Sequence, residues 1–173
     1  MKILYVIIMM LFLGMVSCSE DNLKGYSSSN YIQFDKLSKD STVFSFAYDE
    51  TLESGTVALK LVMISPLVDR DRKYNVKFLQ DESSAQAGVD FEMPAEEQVI
   101  AANDSVAYLN VIVKRNKALK GSAIAVFEVQ VSDDFMPGIE ANRKGRIFIT
   151  NQLTRPGWWN DWHEANGLGT YSD

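Results

Sequence analysis

Residues 72–79 read Arg-Lys-Tyr-Asn-Val-Lys-Phe-Leu, and apolar side chains fall at every second position of this stretch. Three apolar residues alternate with three polar ones: Tyr74, Val76 and Phe78 against Lys73, Asn75 and Lys77. Successive side chains of a β-strand point to opposite faces, so the alternation predicts a strand with one buried and one solvated face. The fold is therefore expected to contain a half-exposed sheet.

The same period of two recurs along the chain, and no window shows a convincing helical repeat. Further strands are predicted at residues 31–34, 42–48, 56–64, 105–113, 123–131 and 146–150. Gly121 is the expected turn between the two long strands before it and after it. About seven strands at this spacing favour an all-β fold, an immunoglobulin-like antiparallel β-sandwich, with a closed barrel as the alternative.

Residues 56–64 are apolar on both sides of the predicted strand, and only Lys60 interrupts the second side. This predicts a central strand buried on both faces, ended by Pro66. A stripe of six aromatic side chains is also expected in the core: Phe44, Phe46, Tyr48, Tyr74, Phe78 and Tyr108.

Composition excludes several classes of protein. The chain has 173 residues, 46% of them hydrophobic and 23% charged, with one Cys and one His. A disulfide framework or a zinc finger needs more Cys or His than this. A net charge of −6 makes nucleic acid an unfavourable partner, because phosphate contacts need clustered Lys and Arg. No cofactor is predicted.

The first 17 residues have the composition of an export signal. Lys2 is the only charge, and residues 3–13 are an apolar run too short for a spanning helix, which needs about 20 residues. The sequence Met15-Val16-Ser17-Cys18 resembles the lipobox of bacterial lipoproteins. The resemblance implies that residues 1–17 are removed and that Cys18 is acylated. An ordinary secretory signal with a chance Cys is the alternative.

Residues 18–30 are expected to form a lipidated flexible tether, since they contain Gly25 and the run Ser27-Ser28-Ser29. Ser19, Glu20 and Asp21 resemble the acidic signal that exports lipoproteins to the outer face of the outer membrane. The implied location is the bacterial outer membrane, lipid-anchored and surface-exposed. A tether facing the periplasm is the alternative.

A turn and two strands resemble the middle of a Calx-beta domain, which is an antiparallel sandwich. The turn is Ala87-Gly88-Val89-Asp90-Phe91, and the strands lie at residues 106–113 and 125–131. Gly88 permits a turn there and Asp90 can accept hydrogen bonds from its backbone amides. Calcium-binding members carry acidic residues between those strands. Residues 114–120 are basic here, so calcium, which takes carboxylate ligands, is not expected.

The ordered set of motifs along the chain resembles a family of uncharacterised Bacteroidetes surface lipoproteins encoded beside SusC/SusD-like uptake systems. The set comprises the lipobox, residues 31–34, residues 40–48, the turn at Gly88 and the stretch Arg155-Pro156-Gly157-Trp158-Trp159. The resemblance implies a protein without enzymatic activity that contacts SusC/SusD-like outer-membrane proteins, a glycan or a peptide. Members continue past the element at residues 168–172, so this chain is expected to be shortened.

Residues 31–151 are expected to form the sandwich and residues 152–173 an irregular Trp-rich segment. Trp158, Trp159 and Trp162 are candidate contacts for a ligand or a partner, because exposed indole rings stack on sugars and anchor interfaces. Packing on the sandwich is the alternative. His163 is interpreted as non-catalytic, since no nucleophile and acid are grouped with it in the sequence.

These patterns lead to three hypotheses. The first is a non-enzymatic accessory binding module of a nutrient-uptake system. The second is a surface hydrolase, or a hydrolase subunit completed by a missing C-terminal part. The third is a structural or adhesive spacer domain. Fold alone does not choose among them.

Overall fold

The structure is a computed structural model that describes residues 30–35 and 42–153 together with Asn166. The described residues form nine strands and two single-turn 3₁₀ helices, Gln80–Glu82 and Glu140–Asn142. The strands are β1 (Tyr31–Phe34), β2 (Thr42–Ser45), β3 (Ser54–Ile64), β4 (Arg72–Phe78), β5 (Glu97–Ile100), β6 (Val106–Lys114), β7 (Ser122–Gln130), β8 (Met136–Pro137) and β9 (Lys144–Thr150). No helix in the described ranges is long and apolar enough to cross a membrane.

Two sheets make up the fold, with strand orders β6-β3-β1-β8 and β2-β9-β7-β4-β5. The predicted all-β immunoglobulin-like sandwich is confirmed. β1 and β2 join different sheets, so the first strand of the sandwich is divided between them. The pairs β1–β8 and β2–β9 are parallel, whereas the other pairings of the sheets are antiparallel.

The core lies between the sheets and is filled by the alternate side chains of the long strands. Three of its phenylalanine rings pack against one another: the Phe78 and Phe91 centroids are 5.0 Å apart, and the Phe91 and Phe127 centroids are 5.7 Å apart. Phe78 is only partly buried, but it packs on the buried cluster. Aromatic pairs at such distances add stabilisation beyond the area that they bury.

β3 is central in its sheet, as predicted, but it is not buried on both faces. Leu59 and Leu61 face the core, whereas Ala58 and Lys60 lie in solvent. The outer face of this sheet has no covering layer among the described residues, and the ion pair of Lys60 with Asp35 at 2.8 Å lies on it. The prediction was wrong because apolar residues also favour strands through β-propensity, without burial on that face.

Four of the six stripe aromatics are buried or packed against the core, and two are exposed. Tyr48 lies beyond the end of β2 and is 63% exposed. Tyr108 stands on the outer face of β6 and is 52% exposed. β5 was missed by the sequence analysis, because its four residues lie within a stretch that reads as polar.

Different parts of the chain lie at the two ends of the sandwich. Asn30 lies beside the last residues of β3, since Tyr31 pairs with Ile64. We call this the entry end. The first residue of β3 pairs with Lys114, and Thr150 accepts a hydrogen bond from Phe46 at the same end. We call this the exit end. The eleven residues of β3 separate the two ends by about 33 Å.

Candidate functional site

A loop at the exit end is held by one side chain. Arg115 follows β6, and its Nε donates to the Leu52 carbonyl at 2.6 Å. Its Nη2 donates to the Phe46 carbonyl at 2.6 Å and also to the Asp49 carbonyl. The guanidinium lies 5.0 Å from the centroid of the Phe46 ring, at the distance of a cation–π contact. The loop between β2 and β3 is therefore closed around Arg115.

The same loop keeps an ionised carboxylate at its surface. Thr51 donates to Asp49 Oδ1 from its hydroxyl at 2.6 Å and from its backbone N–H at 2.9 Å. These bonds, the hydroxyl first, lower the pKa of Asp49 below its ordinary value. The loop is thus a hydrogen-bonded Asx-type turn.

The predicted turn at Gly88 and Asp90 holds the neighbouring hairpin in place. Gly88 has φ +83°, a conformation that favours glycine. Asp90 is buried, and its carboxylate accepts the Gln86 N–H at 2.7 Å and the Asn116 side-chain amide at 2.8 Å. Because Asn116 belongs to the loop between β6 and β7, this carboxylate fixes that loop against the rest of the exit end.

Between the two loops lies an open cleft of about 710 Å³. Segments that are far apart in sequence supply its lining, which consists of Ala47, Glu50, Arg115, Lys117, Asn151, Gln152 and Leu153. Small-molecule sites commonly have volumes of about 300–1,000 Å³, so the cleft has the size of a binding site.

The basic residues of the β6–β7 loop are partly neutralised by acidic neighbours. Lys117 Nζ lies 3.1 Å from Glu53 Oε1, and both side chains are exposed. Lys114 Nζ lies 3.0 Å from Glu92 Oε1. Over residues 30–35 and 42–153, no group of three or more His, Cys, Asp or Glu side chains could hold a metal ion.

The site residues predicted from sequence lie outside the described residues. They are the lipidation site Cys18, the export residues Ser19, Glu20 and Asp21, and the tail residues Trp158, Trp159 and Trp162. They stay predictions. The cleft residues were not predicted as a site: the basic loop at residues 114–120 was interpreted as a solvated hairpin end, with contact to an acidic patch on a partner as the alternative. No local motif connects residues 47–50, 115–117 and 151–153.

The fold defines a class of protein: an immunoglobulin-like β-sandwich similar to Calx-beta domains. The apo-form Calx CBD1 domain matches with a TM-score of 0.54 and 9% identity, over 73% of this chain and 100% of that domain. CBD12 from CALX1.2 matches with a TM-score of 0.51 and 9% identity, over 70% of this chain and 45% of that one. At such low identity the likeness shows the fold alone.

The chain belongs to the family described as a domain of unknown function (DUF4843), whose model matches residues 25–173. A two-domain protein of unknown function from Bacteroides fragilis NCTC 9343 has a similar fold. It matches with a TM-score of 0.50 and 7% identity, over 72% of this chain and 46% of that one. No curated protein matches the chain.

Proposed function

We propose that this protein is a lipid-anchored protein of the bacterial outer membrane that acts as a non-enzymatic accessory binding module of a glycan or peptide uptake system. The lipobox at Cys18 and the acidic residues after it support the location. The ordered motifs shared with surface lipoproteins encoded beside SusC/SusD-like proteins support the association.

The observation that carries the proposal is the position of the cleft relative to the tether. The described chain starts with Asn30 at the entry end, whereas the cleft lies at the exit end about 33 Å away. An anchor at Cys18 would therefore connect to the entry end and leave the cleft at the opposite end of the sandwich, away from the attachment point of the tether. The twelve residues from Cys18 to Asn30 could extend this reach by about 40 Å.

The same geometry also suits the spacer hypothesis, because a spacer receives the chain at one end and continues from the other. The two functions differ in what the exit end does. A binding module retains a ligand or a partner there, whereas a spacer retains neither.

The anchor is tested by growing cells with an alkyne analogue of palmitate and isolating the full-length protein. Wild type is expected to carry the label and to fractionate with outer membranes. Cys18→Ser is the matched control and should be unlabelled, because the hydroxyl is not the nucleophile of this modification. Label in neither protein, with wild type in the cytosol, would overturn the proposed location.

The partner is tested by cross-linking intact cells and isolating the full-length protein from solubilised outer membranes. SusC/SusD-like proteins are expected to co-purify with wild type. Replacement of Trp158, Trp159 and Trp162 by Ala is expected to reduce recovery if those side chains are interface anchors. If neither a transporter nor a SusD-like protein co-purifies, and the protein binds nothing on glycan and peptide panels, the binding-module function would be overturned in favour of the spacer function.

A further inference from the structure

One residue of the cleft lining has a buried amide oxygen without a hydrogen-bond partner among the described residues. Asn151 lines the cleft, and its Nδ2 donates to the Asn116 carbonyl at 2.7 Å. Its Oδ1 is buried and accepts no hydrogen bond from any residue that the structure describes. Exchanging the two amide atoms would not remove the deficit, because the Asn116 carbonyl would then lose its donor. Because Oδ1 has almost no exposed surface, a ligand in the cleft can satisfy this oriented acceptor only if the side chains that cover it shift.

A donor without a partner lies in the same lining. Nε and Nη2 of Arg115 donate to three loop carbonyls. Nη1 makes no hydrogen bond to the described residues. The three bonds to the loop fix the guanidinium plane, so its two free N–H groups are oriented before any ligand arrives. Such preorganisation lowers the cost of binding.

The rest of the polar lining consists of Gln152 and two charged side chains. Glu50 adds a carboxylate that only accepts, and Lys117 adds an ammonium that only donates. Donors and acceptors are thus mixed in one cleft. Hydroxyl groups both donate and accept, so a ligand with several hydroxyls can satisfy both kinds of group at once. On this basis we infer that the cleft binds a neutral oligosaccharide, which deepens the proposed binding function and rests on it.

Other ligand chemistries fit the lining less well. An anionic ligand would meet the carboxylate of Glu50, and Lys117 is already paired with Glu53. An apolar ligand would find only Ala47 and Leu153 as aliphatic contacts in the lining. An extended peptide is usually bound along a free sheet edge with pockets for alternate side chains. The described lining consists of loop residues and the segment after β9, and it offers no such edge.

The inference is tested with the full-length protein in a polyoxyethylene detergent, because detergents with sugar headgroups would compete for the cleft. Titration calorimetry measures binding of neutral gluco-, manno-, galacto- and xylo-oligosaccharides. Oligogalacturonates and a peptide library are measured in parallel. At least one neutral series is expected to bind, and more tightly than the acidic sugars and the peptides.

Two cleft variants and two controls localise the binding. Glu50→Ala and Asn151→Leu should each weaken saccharide binding by about tenfold or more, since each removes an acceptor. Lys120→Ala and Glu96→Ala change exposed charges outside the cleft and should leave the affinity unchanged. Glu50 is exposed, so its variant is informative even if Asn151→Leu fails to fold.

Three outcomes would overturn the inference: no neutral saccharide binding by the folded protein, binding that both cleft variants retain, or preference for peptides or acidic sugars. The proposed function is judged separately by acylation and by co-purified transporters. A protein that is labelled, located at the outer membrane and complexed with a transporter, yet binds no saccharide, would refute only the cleft ligand.

Discussion

Acidic side chains at both ends of the sandwich accept hydrogen bonds from backbone amides, and Asp90 and Asp134 differ in how far along the chain the donor lies. At the exit end Asp90 accepts the Gln86 N–H, which lies four residues earlier in the chain. At the entry end Asp134 accepts the Lys73 N–H at 2.8 Å, across 61 residues. The sequence could predict the first because the turn is local and contains a glycine. The second depends on tertiary structure, because Lys73 and Asp134 lie 61 residues apart in the chain.

Arg72 illustrates the same limit more strongly. It starts a strand with a clear alternation, yet its side chain is 1% exposed and packs 4.9 Å from the centroid of the Phe135 ring. Its Nη1 donates to Ser65 Oγ at 2.7 Å. Burial lowers the pKa of this guanidinium. The partners come from separate connections at the entry end, so no pattern around residue 72 could have indicated a buried cation.

The Asp134 carboxylate gives a prediction of pH dependence. The Arg70 guanidinium, first, and the Lys73 N–H lower the pKa of Asp134 in the folded protein below its ordinary value near 3.8. Its stabilising contribution is therefore fully present above about pH 4 and is lost as the pH falls through the folded pKa. Asp134→Asn should lower the free energy of unfolding by about 1 kcal/mol at pH 7. Urea titrations at pH 7, 5 and 3 measure this, and the difference should shrink toward pH 3.

The control is Asp133→Asn, which removes the same charge from an exposed neighbour. It should change stability by less than about 0.5 kcal/mol at each pH. Equal effects of the two variants would mean that net charge, rather than the contacts of Asp134, determines the loss.

At the level of strands, the period-two pattern predicted the long elements well. β4, β6, β7 and β9 appear where strands were predicted from the period of two, because side-chain alternation reports directly which face meets a core, and β3 appears where an apolar run predicted it. The pattern was less informative for β3, whose outer face is apolar yet solvated, and for the short β5. Short edge strands bury few side chains, and their pairing is set by a neighbour rather than by their own sequence.

Close contact between the two sheets gives a prediction at this scale. Gly145 in β9 faces the Phe34 ring of β1, and a Cβ at Gly145 would lie 2.8 Å from Phe34 Cδ1. Phe34 is buried, so its ring has little space to move away. Gly145→Ala is expected to lower the free energy of unfolding by about 1–3 kcal/mol. Equilibrium urea denaturation measures the change.

A double-mutant cycle with Phe34→Leu tests the cause. If the ring is the obstacle, the cost of Gly145→Ala should fall by at least about 0.5 kcal/mol in the Phe34→Leu background. Additive effects of the two substitutions would show that the loss arises elsewhere in β9.

For the whole molecule, the fold was predictable and the cleft was not. The sandwich follows from repeated local alternation, together with a turn that resembles the Calx-beta pattern. The cleft joins the loop after β2, the loop after β6 and the residues after β9, which meet only because β2 pairs with β9 and Arg115 reaches across to the β2–β3 loop. The alternation of each strand can be seen in a single sequence. The sheet that each strand joins, and the points at which the chain crosses from one sheet to the other, cannot.

The orientation of the whole molecule on a membrane gives the last prediction. Cys18 is the only cysteine, and acylation would consume its thiol, so a second cysteine can be labelled selectively. Ala102→Cys places a dye in the exposed turn before β6 at the entry end, and Lys120→Cys places one in the β6–β7 loop at the exit end. In liposomes containing a lipid-borne quencher, the first dye should be quenched more strongly on average, because the tether attaches at the end that carries it and the second dye lies about 33 Å away along the sandwich. Equal quenching, or stronger quenching at residue 120, would show that the cleft does not face away from the membrane.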